Sequence, residues 1–171
     1  MSARRPQTRG TVTLERTFDA SIEEVWELWT TKEGIESWWG PEGYTVTVRG
    51  IDLRPGGELL YAMTAIAPEQ IDFMKKTSMP LTTETRLRYT EIVPPRRLAY
   101  TNVVDFVPGV PPYDAATTVE LERTAGGVRM VLTLEAMHED RWTQLAVMGW
   151  QQELDKLGRL LRDRGISRPT T

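Results

Sequence analysis

Cysteine is absent from this chain of 171 residues, and histidine occurs once, at His138. Without thiols there is no disulfide framework and no thiolate chemistry. A single imidazole excludes a Cys/His zinc site and a triad drawn from several histidines. His138, Glu139 and Asp140 are too close in sequence to surround one ion unaided, so no metal is expected. Long apolar runs are also missing; a membrane-spanning helix needs about 20 such residues, so no stable membrane insertion is expected. The formal charge is only −3, which gives no electrostatic reason to expect a nucleic-acid partner. Neither a P-loop nor a dinucleotide glycine fingerprint occurs, so no cofactor is expected. Arg4, Arg5 and Arg9 precede no apolar segment, so residues 1–10 read as a disordered, solvated tail rather than a secretion signal, and the cytoplasm is the expected compartment.

What is present is ordinary globular material, 40% apolar and 26% charged. It suits one domain over residues 11–164, with a short tail at 165–171. Six tryptophans fall in two groups. Trp26, Trp29, Trp38 and Trp39 lie near the start, Trp142 and Trp150 near the end. Aromatic side chains bury large areas, so the two ends are expected to meet on one sheet.

Val12, Leu14, Arg16 and Phe18 alternate with polar residues as a half-buried strand. Ser21 with Glu24 forms a capping box, starting a helix with Ile22, Val25, Trp26 and Trp29 on one stripe. Thr30 repeats the capping logic before a second short helix, which Gly40-Pro41 stops. Six alternating strands follow. They are marked by Tyr44/Val46/Val48, Leu59/Tyr61/Met63/Ala65, Leu87/Tyr89, Leu98/Tyr100/Asn102, Val119/Leu121 and Val128/Met130/Leu132/Leu134. Turns at Pro55-Gly56-Gly57 and Gly126-Gly127 make the sheet a largely antiparallel meander. A long helix from about Asp140 to Arg164 carries a core seam through Val147, Trp150, Leu154, Leu157 and Leu161. A second apolar stripe runs through Trp142, Leu145, Met148 and Gly149. Two segments break this rhythm: residues 67–80, and the proline loop of residues 107–113.

The order strand, two helices, six strands, long helix is the helix-grip arrangement, an α+β fold. Phe18-Asp19-Ala20-Ser21, Val25-Trp26-Glu27-Leu28-Trp29-Thr30, Trp38-Trp39-Gly40-Pro41, Pro55-Gly56-Gly57, Glu91-Ile92-Val93-Pro94-Pro95-Arg96-Arg97-Leu98 and Gly149-Trp150 come in a characteristic order. Together they resemble the SRPBCC (START-like) superfamily, in the branch similar to the C-terminal domain of the activator of 90-kDa heat-shock protein ATPase. The resemblance spans about residues 11–162. It implies a hydrophobic cavity between a curved antiparallel sheet and the C-terminal helix, holding lipids, polyketides or other apolar molecules; a few members are cyclases or hydrolases. Two departures stand out. Residues 67–80 replace a short turn and read as a lid or a homodimer arm. The separate chaperone-binding domain of the eukaryotic cochaperone has no counterpart in these residues.

Composition alone favours a close-packed core, since aromatic stripes are usually core; the resemblance reverses this and favours the cavity. Its expected lining is Trp29, Trp38, Trp39, Tyr61, Met63, Tyr89, Tyr100, Asn102, Met130, Leu132, Leu134, Trp142, Leu145, Met148 and Gly149. Aromatic and methionine side chains would enclose a small hydrophobic molecule, and tyrosine hydroxyls with Asn102 would orient it. No catalytic residue is assigned; His138 is the weak candidate, and an enzyme would need it facing a cavity carboxylate. A third reading is an interaction module docking through Ile71, Phe73 and Met74. It requires an apolar patch on that insertion.

Overall fold

The computed structural model describes residues 10–105 and 109–167. The N-terminal tail up to residue 9, part of the proline loop (106–108) and residues 168–171 lie outside the described residues. Element order is β1 (Thr11–Phe18), α1 (Ile22–Thr30), α2 (Lys32–Trp38), β2 (Tyr44–Ile51), β3 (Glu58–Ala65), α3 (Pro68–Lys76), β4 (Thr82–Val93), β5 (Arg97–Val104), β6 (Tyr113–Thr124), β7 (Gly127–Glu135) and α4 (Asp140–Ser167). The strands form one antiparallel sheet in the order β1-β7-β6-β5-β4-β3-β2. This is the expected helix-grip α+β fold.

The local rules explain the boundaries. Ser21 Oγ accepts from the Glu24 amide at 3.1 Å, capping α1 as its sequence indicates. The second cap is one residue later than expected: Thr31, not Thr30, accepts from the Gly34 amide at 3.0 Å. Thr30 instead closes the last turn of α1, its hydroxyl donating to the Trp26 carbonyl at 2.8 Å. At the β6–β7 turn Gly127 has a φ of 152°, and a β-carbon there would stand 2.1 Å from the Phe18 carbonyl oxygen. Only glycine lets the turn approach the end of β1 this closely.

Residues 67–80 are largely helical, as α3. Pro68 sits in the first turn of α3, where its missing N–H costs no helical bond, and the basic Lys75 and Lys76 in its last, where they suit the helix dipole. Backbone bonds from Ile66 and Ala67 to the Gly43 carbonyl tie its entry to the start of β2. Met74 is buried, Ile71 half-buried and Phe73 exposed.

The sheet's concave face carries the core. Leu59, Leu87, Tyr89, Leu98, Tyr100, Val119, Met130 and Leu132 are buried there against Leu154, Leu157 and Leu161 of α4. Register places Tyr89 opposite Tyr100 and Leu87 opposite Asn102, so the polar tips of β4 and β5 share one row. The two tryptophan groups do meet. Trp29 stacks on Trp150 with ring centroids 5.7 Å apart and planes 22° apart, while Trp38 and Trp39 contact Trp29 edge-on. Among the described residues no helix is long and apolar enough to cross a membrane.

Candidate functional site

A cavity of about 250 Å³ opens where α4 crosses β3 and β5. Its walls are Trp39, Pro41, Tyr61, Met63, Tyr100, Asn102, Ala146, Gly149, Trp150 and Glu153. Ala146, Gly149, Trp150 and Glu153 lie at spacings of three and four, one face of α4. The Gly40-Pro41 stop after α2 carries Trp39 over the same space. Trp39 packs edge-on to Tyr61 at 5.4 Å and to Trp150 at 6.1 Å, and tilted on Tyr100 at 6.4 Å. Four aromatic rings thus enclose the cavity.

Of the fifteen residues expected to line it, Trp39, Tyr61, Met63, Tyr100, Asn102 and Gly149 do. Trp29, Trp38, Tyr89, Met130, Leu132 and Leu134 are instead buried in the packed core, where α1, α2, the sheet and α4 contribute to one cluster. Leu145 and Met148 are 49% and 55% exposed, a correction to the second apolar stripe. Successive helical residues turn by about 100°, and these two fall on the flank that the sheet does not cover. Trp142 lies apart from the cavity, against His138 with ring centroids 6.2 Å apart. At Gly149 a β-carbon would meet no heavy atom within 4 Å outside its own helix backbone. Glycine there keeps space open rather than admitting another backbone.

Glu153 was not foreseen. A carboxylate three residues after Trp150 and next to Leu154 falls on the inward stripe, and that spacing was the available signal. Its Oε1 accepts from the Gly40 amide at 2.7 Å. The Lys156 ammonium turns away to the Gly40 and Trp39 carbonyls, at 2.9 and 3.5 Å. Burial raises the Glu153 carboxyl to about 7, against the opposing pull of the Gly40 amide and the Lys156 charge. Burial likewise pushes the Tyr61 and Tyr100 hydroxyls well above their ordinary range, with the Glu153 charge adding to both.

Several buried polar atoms around this space lack partners. Trp39 Nε1, Tyr100 OH and Asn102 Oδ1 make no hydrogen bond. Thr117 is near enough to favour the Tyr100 phenolate slightly, yet the pair lacks hydrogen-bond geometry. Tyr100 is only 1% exposed, so bulk water does not satisfy its hydroxyl.

His138 sits elsewhere. Tyr113 OH lies 2.6 Å from its Nδ1 and accepts from its backbone amide at 3.2 Å. The imidazole is thus engaged by the Tyr113 hydroxyl through Nδ1. The pair is outside the cavity wall and includes no carboxylate. Glu91, in the recognisable turn motif, is structural. It accepts from Arg97 Nε at 2.8 Å across the β4–β5 hairpin, while Glu120 holds the other side of the same guanidinium. Among the described residues no three acidic or histidine side chains gather as metal ligands.

The fold has many counterparts. CV1439 from Chromobacterium violaceum superposes with a TM-score of 0.73 at 28% identity, covering 88% of this chain and 96% of that one. NE0264 from Nitrosomonas europaea gives 0.68 at 24% identity, covering 90% and 95%. The AHSA1 (SPO3351) protein from Silicibacter pomeroyi gives 0.71 at 21% identity, covering 91% and 99%; the latter two likenesses speak to fold alone. No curated protein matches the sequence. The family model for activator of Hsp90 ATPase homolog 1-like protein matches residues 19–162, and the chain belongs to that family.

Proposed function

We propose that the protein binds a small molecule non-covalently between α4 and the sheet, a ring-sized apolar body with polar substituents. The observation that carries this reading is the set of unpartnered buried polar atoms on Trp39, Tyr100 and Asn102 around one aromatic-walled cavity. An unsatisfied buried polar group costs about 1–3 kcal/mol. A ligand that hydrogen-bonds these atoms recovers part of that cost, while an empty or purely apolar filling does not. Size narrows the class. A cavity of about 150 Å³ takes up benzene, so about 250 Å³ suits one ring with a short arm rather than a lipid or polyketide. Binding is favoured over catalysis because the cavity wall offers one carboxylate and no nucleophile beside it, and because His138 is engaged with Tyr113.

Native mass spectrometry of protein purified from its own host, set against denatured spectra, tests this. A reproducible non-covalent adduct of low molecular mass is the expected result. A clean apo mass from several growth conditions would count against ligand binding.

A further inference from the structure

The cavity's polar equipment points to the charge of its ligand. We infer that the ligand carries a protonated amine, held by Glu153 within the aromatic wall of Trp39, Tyr61, Tyr100 and Trp150. This rests on the binding proposal above and adds to it the chemical class of the ligand.

The argument starts from what Glu153 lacks. A carboxylate drawn partly out of water is stabilised by a counter-charge or further hydrogen bonds, and Glu153 is half-buried on the cavity wall. Glu153 has one bond, from the Gly40 amide to Oε1; its Oε2 accepts none from the described residues. No cationic side chain stands within ion-pair distance of it among the described residues. The nearest candidate, Lys156, spends its ammonium on the two carbonyls that end α2. The cavity therefore holds an acid on its wall whose partner is not supplied by the chain.

The rest of the lining suits a cation. Aromatic rings present negative faces, and an ammonium group within about 6 Å of a ring centre is attracted to it, most strongly by tryptophan and when water is excluded. Four such rings and a carboxylate around one small space form the arrangement that recognises alkylammonium groups. Asn102 Oδ1, buried and unpartnered, adds an acceptor for an N–H donor. Trp39 Nε1 and the Tyr100 hydroxyl, the unpartnered donors in the set, leave room for an acceptor elsewhere on the ligand. A neutral hydrocarbon would cover Glu153 further while giving it no ion-pair partner.

The pair benzylamine and benzyl alcohol tests the inference, since the two share shape and differ in charge. Titration calorimetry and tryptophan fluorescence at pH 8 should show benzylamine binding at least about tenfold more tightly, one unit of log affinity. Glu153→Gln keeps an oxygen for the Gly40 amide and should erase that preference. A second measurement needs no variant. The groups facing Glu153 are Lys156 on α4, Tyr61 on β3 and Tyr100 on β5; both tyrosines stay neutral through the working range. With Glu153 titrating at about 7, benzylamine affinity should rise about 30-fold from pH 5.5 to pH 8, in step with its ionised fraction. Equal binding of the two probes, or a flat pH profile, would overturn the amine and leave the cavity reading standing. Binding of neither probe would also overturn it, and the host-purified adduct would then decide the cavity reading separately.

Discussion

Gly149 offers the sharpest separation of stability from binding. In the interior of a helix glycine costs about 1 kcal/mol relative to alanine, through the backbone freedom it loses on folding. Such a glycine is normally explained by close approach, yet here a β-carbon would meet nothing within 4 Å beyond the helix itself. Gly149→Ala should therefore raise the unfolding free energy by about 1 kcal/mol, which for a chain of this size moves the melting temperature up by about 2–4 °C. Gly149→Leu retains good helix propensity and projects its branched side chain into the cavity. It should be as stable as the alanine variant, because burying a leucine side chain contributes about 1.5–3 kcal/mol, but it should no longer take up the ligand. Thermal unfolding followed by circular dichroism gives the first quantity, and adduct occupancy in native spectra gives the second. A melting temperature for Gly149→Ala below that of the parent would refute the open-space argument. Undiminished adduct occupancy in Gly149→Leu would show that the ligand sits elsewhere.

Glu153 should make stability depend on pH. Its carboxyl is raised from an ordinary 4.5 to about 7 by burial, so the folded state holds the proton more tightly than the unfolded state. The contribution is fully present below pH 4.5 and is lost as pH rises through 7, by at most about 3 kcal/mol. Urea unfolding at pH 5 and pH 8 should show this fall, and Glu153→Gln should flatten it; an unchanged slope in the variant would assign it to other groups. Tyr89 is buried with a hydroxyl that has no partner. Tyr89→Phe should leave stability unchanged or raise it by about 1 kcal/mol, and a clear loss in urea unfolding would mean that the hydroxyl is satisfied. Gly127→Ala drives a β-carbon against the Phe18 carbonyl. It should cost more than about 2 kcal/mol, read as a drop in the urea midpoint, and an unaltered midpoint would show that the turn can shift freely.

The strands were legible because one face of the sheet is packed, which forces alternation. Val128, Met130, Leu132 and Leu134, all buried in β7, show it most cleanly. The cap at Ser21 was legible for a similar reason, since few residues can satisfy a helix's first amides. Its neighbour was misplaced by one position. Thr30 and Thr31 carry identical hydroxyls, and only the hydrogen bonds tell the one that closes α1 from the one that opens α2. The site was legible in part. An alternating pattern reports which side chains face inward, but not whether they meet another side chain or a void. Tyr89 and Tyr100, opposite each other in the ladder, carry the same signal and end in core and cavity wall respectively. Leu145 and Met148 were misread because an apolar residue on a helix flank carries no mark of whether the sheet reaches it. Glu153 escaped notice because its charge assigned it to solvent, although its spacing from Trp150 placed it inside.

The pairing of first strand with last has a consequence for how the molecule is made. β2 to β6 follow one another as neighbours, so each can add to the sheet as it leaves the ribosome. Among the described residues β1 pairs with β7 alone, Leu14 opposite Leu132, and Trp29 waits for Trp150. These contacts span nearly the whole chain, the kind that slow folding because a long loop must close before they form. Until α4 emerges, the apolar concave face is covered only in part, by α1 and α2, and the rest is open to association with other chains. The aromatic enclosure is thus the last part of the protein to come into existence, and changes that weaken α4 should first reduce the yield of folded protein during synthesis, before they alter the finished molecule.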